Sequence, residues 1–127
     1  MSSSDIDRKI AVIFATDLVG YSKHMEKDED ATLRGLRECN KIIEPLIKKQ
    51  KGRIFNTGGD SVFAEFPSAV AAVNTAVEFQ KQIKARNDKD TTEVKLEYRI
   101  GINMGDVVKQ GDANLMGDGV NIAARLE

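Results

Sequence analysis

Two aspartates, Asp17 and Asp60, occupy positions at which their carboxylates could bind a cation. Asp17 follows an apolar run, 9–15, that is rich in branched residues and typical of a strand buried on both faces. Asp60 ends the Thr-Gly-Gly-Asp cluster 57–60 between two short β-prone runs, 53–56 and 61–66, which predicts a hairpin with Asp60 at its tip. Convergent carboxylates bind hard cations such as Mg²⁺. Taken singly, Asp17 could instead cap the segment after the strand, and Asp60 could simply make the turn.

Two helices are predicted around this hairpin. Between Asp28 and Lys51 the apolar residues recur three or four apart, acidic residues open the segment and basic residues close it, as in an amphipathic helix. Its apolar stripe consists of Leu33, Leu36, Ile43, Leu46 and Ile47. Pro67 and Ser68 form the start signal of a second helix. Its stripe consists of Ala69, Ala72, Val73, Ala76 and Ile83.

The last third of the chain predicts a further strand. Residues 94–102 alternate apolar and polar side chains, which indicates a strand with one solvent-exposed face. A turn at Gly105 and Asp106 then leads to a hairpin partner at 107–108, and a third helix begins at about Gly119.

The order of these elements predicts the fold class. It is α+β, with a ferredoxin-like βαββαβ core in which two helices cover one face of a palm-type antiparallel sheet. The first and third strands are neighbours in such a sheet, so Asp17 and Asp60 can converge. Two cations about 3.5–4 Å apart can clamp the attacking and leaving oxygens of a phosphoryl displacement.

Composition bounds the setting. A chain of 127 residues fits one domain. Its formal charge of -1 gives no field that would recruit nucleic acid or an anionic membrane. No apolar run approaches the roughly 20 residues that cross a bilayer, so no membrane insertion is expected from this segment. The single Cys39 and the absence of a signal-peptide pattern at the start predict a reducing, cytoplasmic location.

Four blocks resemble the class III adenylyl and guanylyl cyclases, most of all the bacterial type. They are FATDLVGYS (14–22), GRIFNTGGDSVFAEF (52–66), RIGINMGDVV (99–108) and GDGVNIAARLE (117–127). Four ordered blocks are more specific than a single short motif. The resemblance implies a lyase that converts ATP to 3′,5′-cyclic AMP and pyrophosphate. It also implies that 1–127 is one cyclase homology domain that is incomplete at its C-terminal end.

The resemblance implies roles for the first two blocks. Asp17 and Asp60 would hold two divalent cations, Mg²⁺ or Mn²⁺, with the backbone carbonyl of Leu18 as a further ligand. The segment Val19, Gly20, Tyr21 and Ser22 would offer backbone N–H groups to the β- and γ-phosphates, as a helix N-terminus can.

The resemblance implies a different task for the last block. Asn121 would position the ribose, and Arg125 would stabilise the charge that builds on the phosphorus. Because they are four residues apart, they lie on one helix face. Without the motif, they would be interpreted as part of the ordinary polar face of a solvent-exposed helix. The family combines the metal ligands of one subunit with the Asn and Arg of another, which implies a head-to-tail homodimer.

Two positions depart from the family pattern. Family adenylyl cyclases read adenine with a Lys and an Asp where this chain has Asn56 and Asn114. An amide carries both donor and acceptor, so these positions could accept adenine, guanine or water, although we expect ATP to be favoured over GTP. An alternative is therefore a catalytically degenerate homology domain that binds nucleotide or dimerises in a regulatory role. A diguanylate cyclase, suggested by the Gly-Gly-Asp at 58–60, fits poorly because Ser61 and Val62 replace its Glu-Phe.

Overall fold

A computed structural model of the chain describes residues 7–89, 92–110 and 114–116. The elements in chain order are β1 (Asp7–Leu18), α1 (Tyr21–Lys27), α2 (Glu29–Lys49), β2 (Arg53–Gly58), β3 (Ser61–Phe66), α3 (Ala69–Asn87), β4 (Tyr98–Gln110) and β5 (Asn114–Met116). The strands form one antiparallel sheet in the order β2-β3-β1-β4-β5. β3 lies beside β1, as the ferredoxin-like fold requires.

One face of the sheet packs against α2 and α3. The core on this face includes Val12, Phe14 and Leu18 of β1, Leu36, Ile43 and Ile47 of α2, and Phe79 and Ile83 of α3. Within the sheet the rings of Phe14 and Phe66 meet edge to face, with centroids 5.4 Å apart. The predicted α+β fold with helices on one face of an antiparallel sheet is confirmed.

β1 is the central strand, and its residues 11–16 are buried on both faces, as most of its continuous apolar run predicts. Its alternate residues Ala11, Ile13 and Ala15 point away from α2 and α3 and form a second apolar cluster with Val107. We call this side of the sheet the second face. β1 extends beyond the predicted run to Leu18, so Asp17 lies at the end of the strand, as its penultimate residue, paired with a residue of β4.

The edges of the sheet approach each other on the second face. β2 and β5 are the two edge strands, yet they come into contact. The sheet is therefore strongly curved, as twisted sheets can be. The rings of Phe55 and Phe63 pack against the second cluster, and Ile13 at its centre is fully buried.

The first predicted helix is confirmed with its cap and its buried stripe. Asp28 precedes α2, and its side-chain Oδ1 accepts a hydrogen bond from the N–H of Ala31 at 3.0 Å. Of the predicted stripe, Leu36, Ile43 and Ile47 are buried, and Leu33 and Leu46 are half-buried.

The predicted stripe of the second helix is wrong in part. Ser68 caps α3 as expected, but Ala69 and Val73 are exposed, and the large residue in the interface is Phe79. Its ring packs edge to face on Tyr98 at 5.1 Å. An aromatic ring buries far more apolar area than an alanine, so Phe79 decides which side of α3 faces the sheet.

The predicted turn at Gly105 and Asp106 is also wrong. β4 runs straight through these residues to Gln110, and Val107 pairs with Lys9 of β1 instead of folding back on β4. The long β1 offers an unbroken partner, so ladder hydrogen bonds outweigh a local turn preference. The hairpin partner of β4 is β5. Residues 94–97, predicted as strand, precede β4.

The predicted third helix from about Gly119 lies outside the described residues. No helix in the described part of the chain combines the length and the apolar composition that crossing a membrane would require.

Candidate functional site

The β2–β3 hairpin places Asp60 next to the end of β1. Gly58 pairs with Ser61, which leaves Gly59 and Asp60 as a two-residue turn. Gly59 has φ 55°, in the left-handed region that glycine enters without a steric cost. Asp60 is therefore held at the tip of a tight turn, as the Gly-Gly-Asp pattern predicts.

Two hydrogen bonds fix the hairpin tip to β1. The buried hydroxyl Oγ1 of Thr16 accepts a hydrogen bond from the N–H of Val62 at 3.1 Å. Oδ2 of Asp60 accepts one from the N–H of Leu18 at 3.2 Å. The two bonds lie on either side of Asp17, so the tip of the hairpin and the end of the strand are positioned as one unit.

The structure brings the carboxyl groups of Asp17 and Asp60 together. Asp17 has the same strand parity as Ala15 and Ile13, so its side chain lies on the second face, where it is 23% exposed. The pKa of Asp60 is raised, first because the carboxyl is partly buried and then because the Asp17 carboxyl is within hydrogen-bonding reach. Two ionised carboxylates this close repel each other.

A cation relieves this repulsion, and the donor set fits a hard divalent ion. Mg²⁺ prefers oxygen ligands and is bound by one or two carboxylates together with substrate phosphates. In the described part of the chain no third acidic, histidine or cysteine side chain completes a metal-binding cluster. Asp17 and Asp60 thus suit an ion that takes its remaining ligands from backbone, water or a nucleotide, rather than a closed structural site.

Arg99 is a site residue that sequence reasoning missed. The alternation of 94–102 predicts only that Arg99 lies on the polar side of its strand, whereas in the structure it is directly opposite Asp17 in the β1–β4 register. Its Nη2 donates to Oδ2 of Asp17 at 2.6 Å. Arg99 opens the block 99–108 that resembles the cyclases and lies in an alternating strand, but neither signal identifies the residue across from it.

The segment Val19 to Ser22 follows β1 and includes the first two residues of α1. Gly20 caps α1 with φ 69°, and no side chain caps that helix end. The N–H of Val19 donates to the carbonyl of Glu97 at 2.8 Å. Of the predicted phosphate donors, Val19 is therefore already engaged. The N–H groups that follow it, in the first turn of α1, are of the kind that lacks an intrahelical partner.

Tyr21 adds its side chain to the neighbourhood of the turn. Its hydroxyl lies 3.8 Å from the point that a Cβ on Gly59 would occupy. The start of α1 and the hairpin tip are therefore adjacent, with Asp60 next in the chain after Gly59.

The two positions predicted to contact the base lie on strands that come into contact. Asn56 is exposed in β2, where the pairing with β3 shifts register. Asn114 lies in β5, with its backbone paired to Gln110 of β4. These edge strands come into contact because of the curvature of the sheet. Asn121 and Arg125, predicted to act on the ribose and the phosphorus, lie outside the described residues.

Cys39 is buried in the core between the sheet and the helices. Burial raises the pKa of its thiol, which disfavours a reactive thiolate.

Comparisons with known proteins agree with the geometry. A family model described as "Adenylate and Guanylate cyclase catalytic domain" matches residues 3–127. "Putative adenylate cyclase 3" from Rhizobium meliloti (strain 1021) is 41% identical over 128 residues, which cover 100% of this chain and 22% of that protein. The chain thus spans less than a quarter of this curated relative.

Solved structures share the fold. The crystal structure of an adenylate/guanylate cyclase/hydrolase from Silicibacter pomeroyi is 38% identical, with a TM-score of 0.84 over 96% of this chain and 71% of that chain. The adenylyl cyclase CyaB from P. aeruginosa is 28% identical, with a TM-score of 0.82 over 95% of this chain and 72% of that chain. Because the family model matches nearly the whole chain and the fold is shared with solved cyclases, the chain belongs to the class III adenylate and guanylate cyclases.

Proposed function

We propose that this chain is the catalytic domain of a nucleotidyl cyclase that converts ATP to 3′,5′-cyclic AMP and pyrophosphate at a homodimer interface, using two divalent cations. The observation that carries the proposal is the meeting of the Asp17 and Asp60 carboxyl groups at one end of the sheet. A strand and a hairpin far apart in sequence converge there, in an arrangement that serves cation binding better than it serves folding.

The proposed metal ligands are Asp17, Asp60 and the backbone carbonyl of Leu18. The tight turn at Gly59 and the hydrogen bond to the Leu18 N–H preorganise Asp60, which lowers the entropic cost of binding. Mg²⁺ or Mn²⁺ bound there would supply Lewis-acid stabilisation of the charge on the triphosphate and on the ribose 3′-oxygen.

The proposed triphosphate contacts are the N–H groups at the start of α1. Gly20, Tyr21 and Ser22 remain for this role because the N–H of Val19 is bound to Glu97. The proximity of Tyr21 to the hairpin tip supports a single pocket for the cations and the phosphates.

Asn121 and Arg125 are proposed to complete the site from a second subunit, where Asn121 would orient the ribose and Arg125 would stabilise the transition state. Asn56 and Asn114 are proposed to face the base. The contact between β2 and β5 supports a shared role for this pair. Their amides suit adenine and guanine alike. The proposed preference for ATP is therefore supported mainly by the similarity to a protein described as a putative adenylate cyclase.

A second candidate is a homology domain that binds nucleotide and dimerises without turnover. The observation that favours it is the amide pair itself, because Asn56 and Asn114 replace charged base-reading groups and give weaker discrimination.

Product formation tests the proposal. The full-length protein is incubated with Mg²⁺ or Mn²⁺ and with ATP or GTP, and cyclic nucleotide is quantified for the wild type, Asp17→Ala and the control Asp30→Ala. Because a catalytic metal contributes several kcal/mol to transition-state stabilisation, Asp17→Ala should lose at least about 100-fold. Asp30 is exposed in the first turn of α2, so its replacement should change the rate less than about twofold.

The outcomes separate the candidates. Cyclic AMP from the wild type and almost none from Asp17→Ala supports the cyclase. Equal product from both proteins rules out the metal role of Asp17. A wild type that binds nucleotide but forms no cyclic product with either metal favours the regulatory module.

A further inference from the structure

Arg99 and Asp17 form an ion pair inside the proposed metal site. Nη2 of Arg99 lies 2.6 Å from Oδ2 of Asp17, and the two residues face each other across the β1–β4 ladder. Since paired residues in antiparallel strands project from the same face, the register itself directs the guanidinium to this carboxylate. An oxygen of the proposed metal ligand is thus occupied by a cation of the protein.

The exposure of Arg99 allows this pair to open. Its side chain is 57% exposed. Arg86 is the contrasting case, because its side chain is only 7% exposed and donates to Glu38, Asn87 and the carbonyl of Val94. Breaking the contacts of Arg86 would leave a buried guanidinium without its hydrogen-bond partners, whereas Arg99 can turn into water at little cost.

The charge balance makes the exchange favourable. The two carboxylates lie within hydrogen-bonding reach of each other and Arg99 pairs with that of Asp17, so these three groups carry a net charge of about -1 when both carboxylates are ionised. A divalent ion neutralises both carboxylates, which Arg99 cannot do from one side.

We propose that Arg99 is a positioning residue that holds Asp17 in the metal-free protein and is displaced when a divalent cation binds. This inference rests on the proposed metal role of Asp17. Arg99 thereby acts as an internal competitor, which fixes the carboxylate orientation before binding and weakens the affinity for metal in the absence of nucleotide.

Direct measurement of Mn²⁺ affinity tests this role without any assay of activity. Free Mn²⁺ is followed by electron paramagnetic resonance during titration of the nucleotide-free protein at fixed ionic strength. Arg99→Met should lower the dissociation constant about two- to fivefold, because an exposed ion pair contributes at most about 1 kcal/mol, which corresponds to about fivefold. Arg99→Lys keeps the charge and should fall between the wild type and Arg99→Met.

Arg34→Met is the matched control. Arg34 is 52% exposed and pairs with one carboxylate, that of Glu93 on the surface, so its removal deletes the same charge without touching Asp17. Its Mn²⁺ affinity should equal that of the wild type. The double variant Asp17→Asn and Arg99→Met should not show the increase in Mn²⁺ affinity expected of Arg99→Met alone.

The results distinguish this inference from the proposed function. If Mn²⁺ binding depends on Asp17 but is unchanged or weaker in Arg99→Met, Arg99 is not a competitor and the metal site stands. An equal increase in Mn²⁺ affinity in Arg34→Met would also overturn the inference, because the change in net charge alone would then explain the increase in Arg99→Met. If neither the wild type nor any variant binds Mn²⁺, both the metal site and the competition are wrong.

Discussion

The two ends of the second face carry opposite charge arrangements. At one end Glu65 accepts from two cations, Lys9 of β1 and Arg53 of β2, with the Arg53 Nη2 at 3.1 Å. At the other end the carboxyl groups of Asp17 and Asp60 lie together, and the guanidinium of Arg99 pairs with Asp17. Both clusters form across neighbouring strands of the same sheet, but one carboxylate contacts two cations at the first end, whereas two carboxylates lie together at the second.

The difference separates a structural cluster from the proposed metal site. Burial disfavours the ionised form of Glu65, but the hydrogen bonds and charges of Lys9 and Arg53 outweigh it and hold the pKa of Glu65 below its usual value. That end is satisfied by the protein alone. At the Asp17 end the pKa of Asp60 is raised, because burial and a like charge act in the same direction. A site that remains electrostatically incomplete after folding is poised for a ligand cation.

The largest expected effect is on metal-linked stability. With Mn²⁺ at about 100 times its dissociation constant, the wild type should gain about 2.7 kcal/mol of unfolding free energy, because the ion binds only the folded state. Mn²⁺ should stabilise Glu65→Gln as much as the wild type, whereas it should stabilise Asp60→Asn much less. Denaturant unfolding with Mn²⁺ or with EDTA measures this, and an equal gain in Asp60→Asn would contradict a metal role for the hairpin tip.

A smaller effect is expected from Glu65→Gln without metal. Because the folded pKa of Glu65 is depressed, its contribution is present above the unfolded pKa of about 4.3 and is lost as pH falls through the folded value. Glu65→Gln should therefore cost about 1 kcal/mol at pH 7 and progressively less below about pH 4. Denaturant midpoints across pH test this against Glu44→Gln, an exposed residue of α2 that should stay near the wild type throughout.

The smallest effect, of opposite sign, is expected from Asp60→Asn in EDTA. Asparagine keeps an oxygen that can accept from the Leu18 N–H but removes the repulsion with Asp17. The metal-free variant should be about 0.5 kcal/mol more stable than the wild type at pH 7. A loss of more than about 1 kcal/mol would show that the ionised hydrogen bond outweighs the repulsion, and the contrast between the two ends would fail.

Local patterns predicted most of the fold. The buried central strand, the hairpin with Asp60 at its tip and the capped helix α2 each follow from residues close in sequence. Two predictions failed where distant partners decide. The turn at Gly105 and Asp106 is absent because β1 extends β4, and α3 presents Phe79 rather than Val73 because a large ring dominates its interface.

The candidate site divides in the same way. Sequence by itself determined that Asp17 and Asp60 end up at a strand end and a hairpin tip, because residue type and spacing fix local backbone conformation. Only the tertiary structure decided that Arg99 faces Asp17, that the Val19 N–H is already bound to Glu97, and that β2 meets β5. Register and sheet curvature arise from pairing between distant segments, and a one-dimensional pattern does not record which residues face each other.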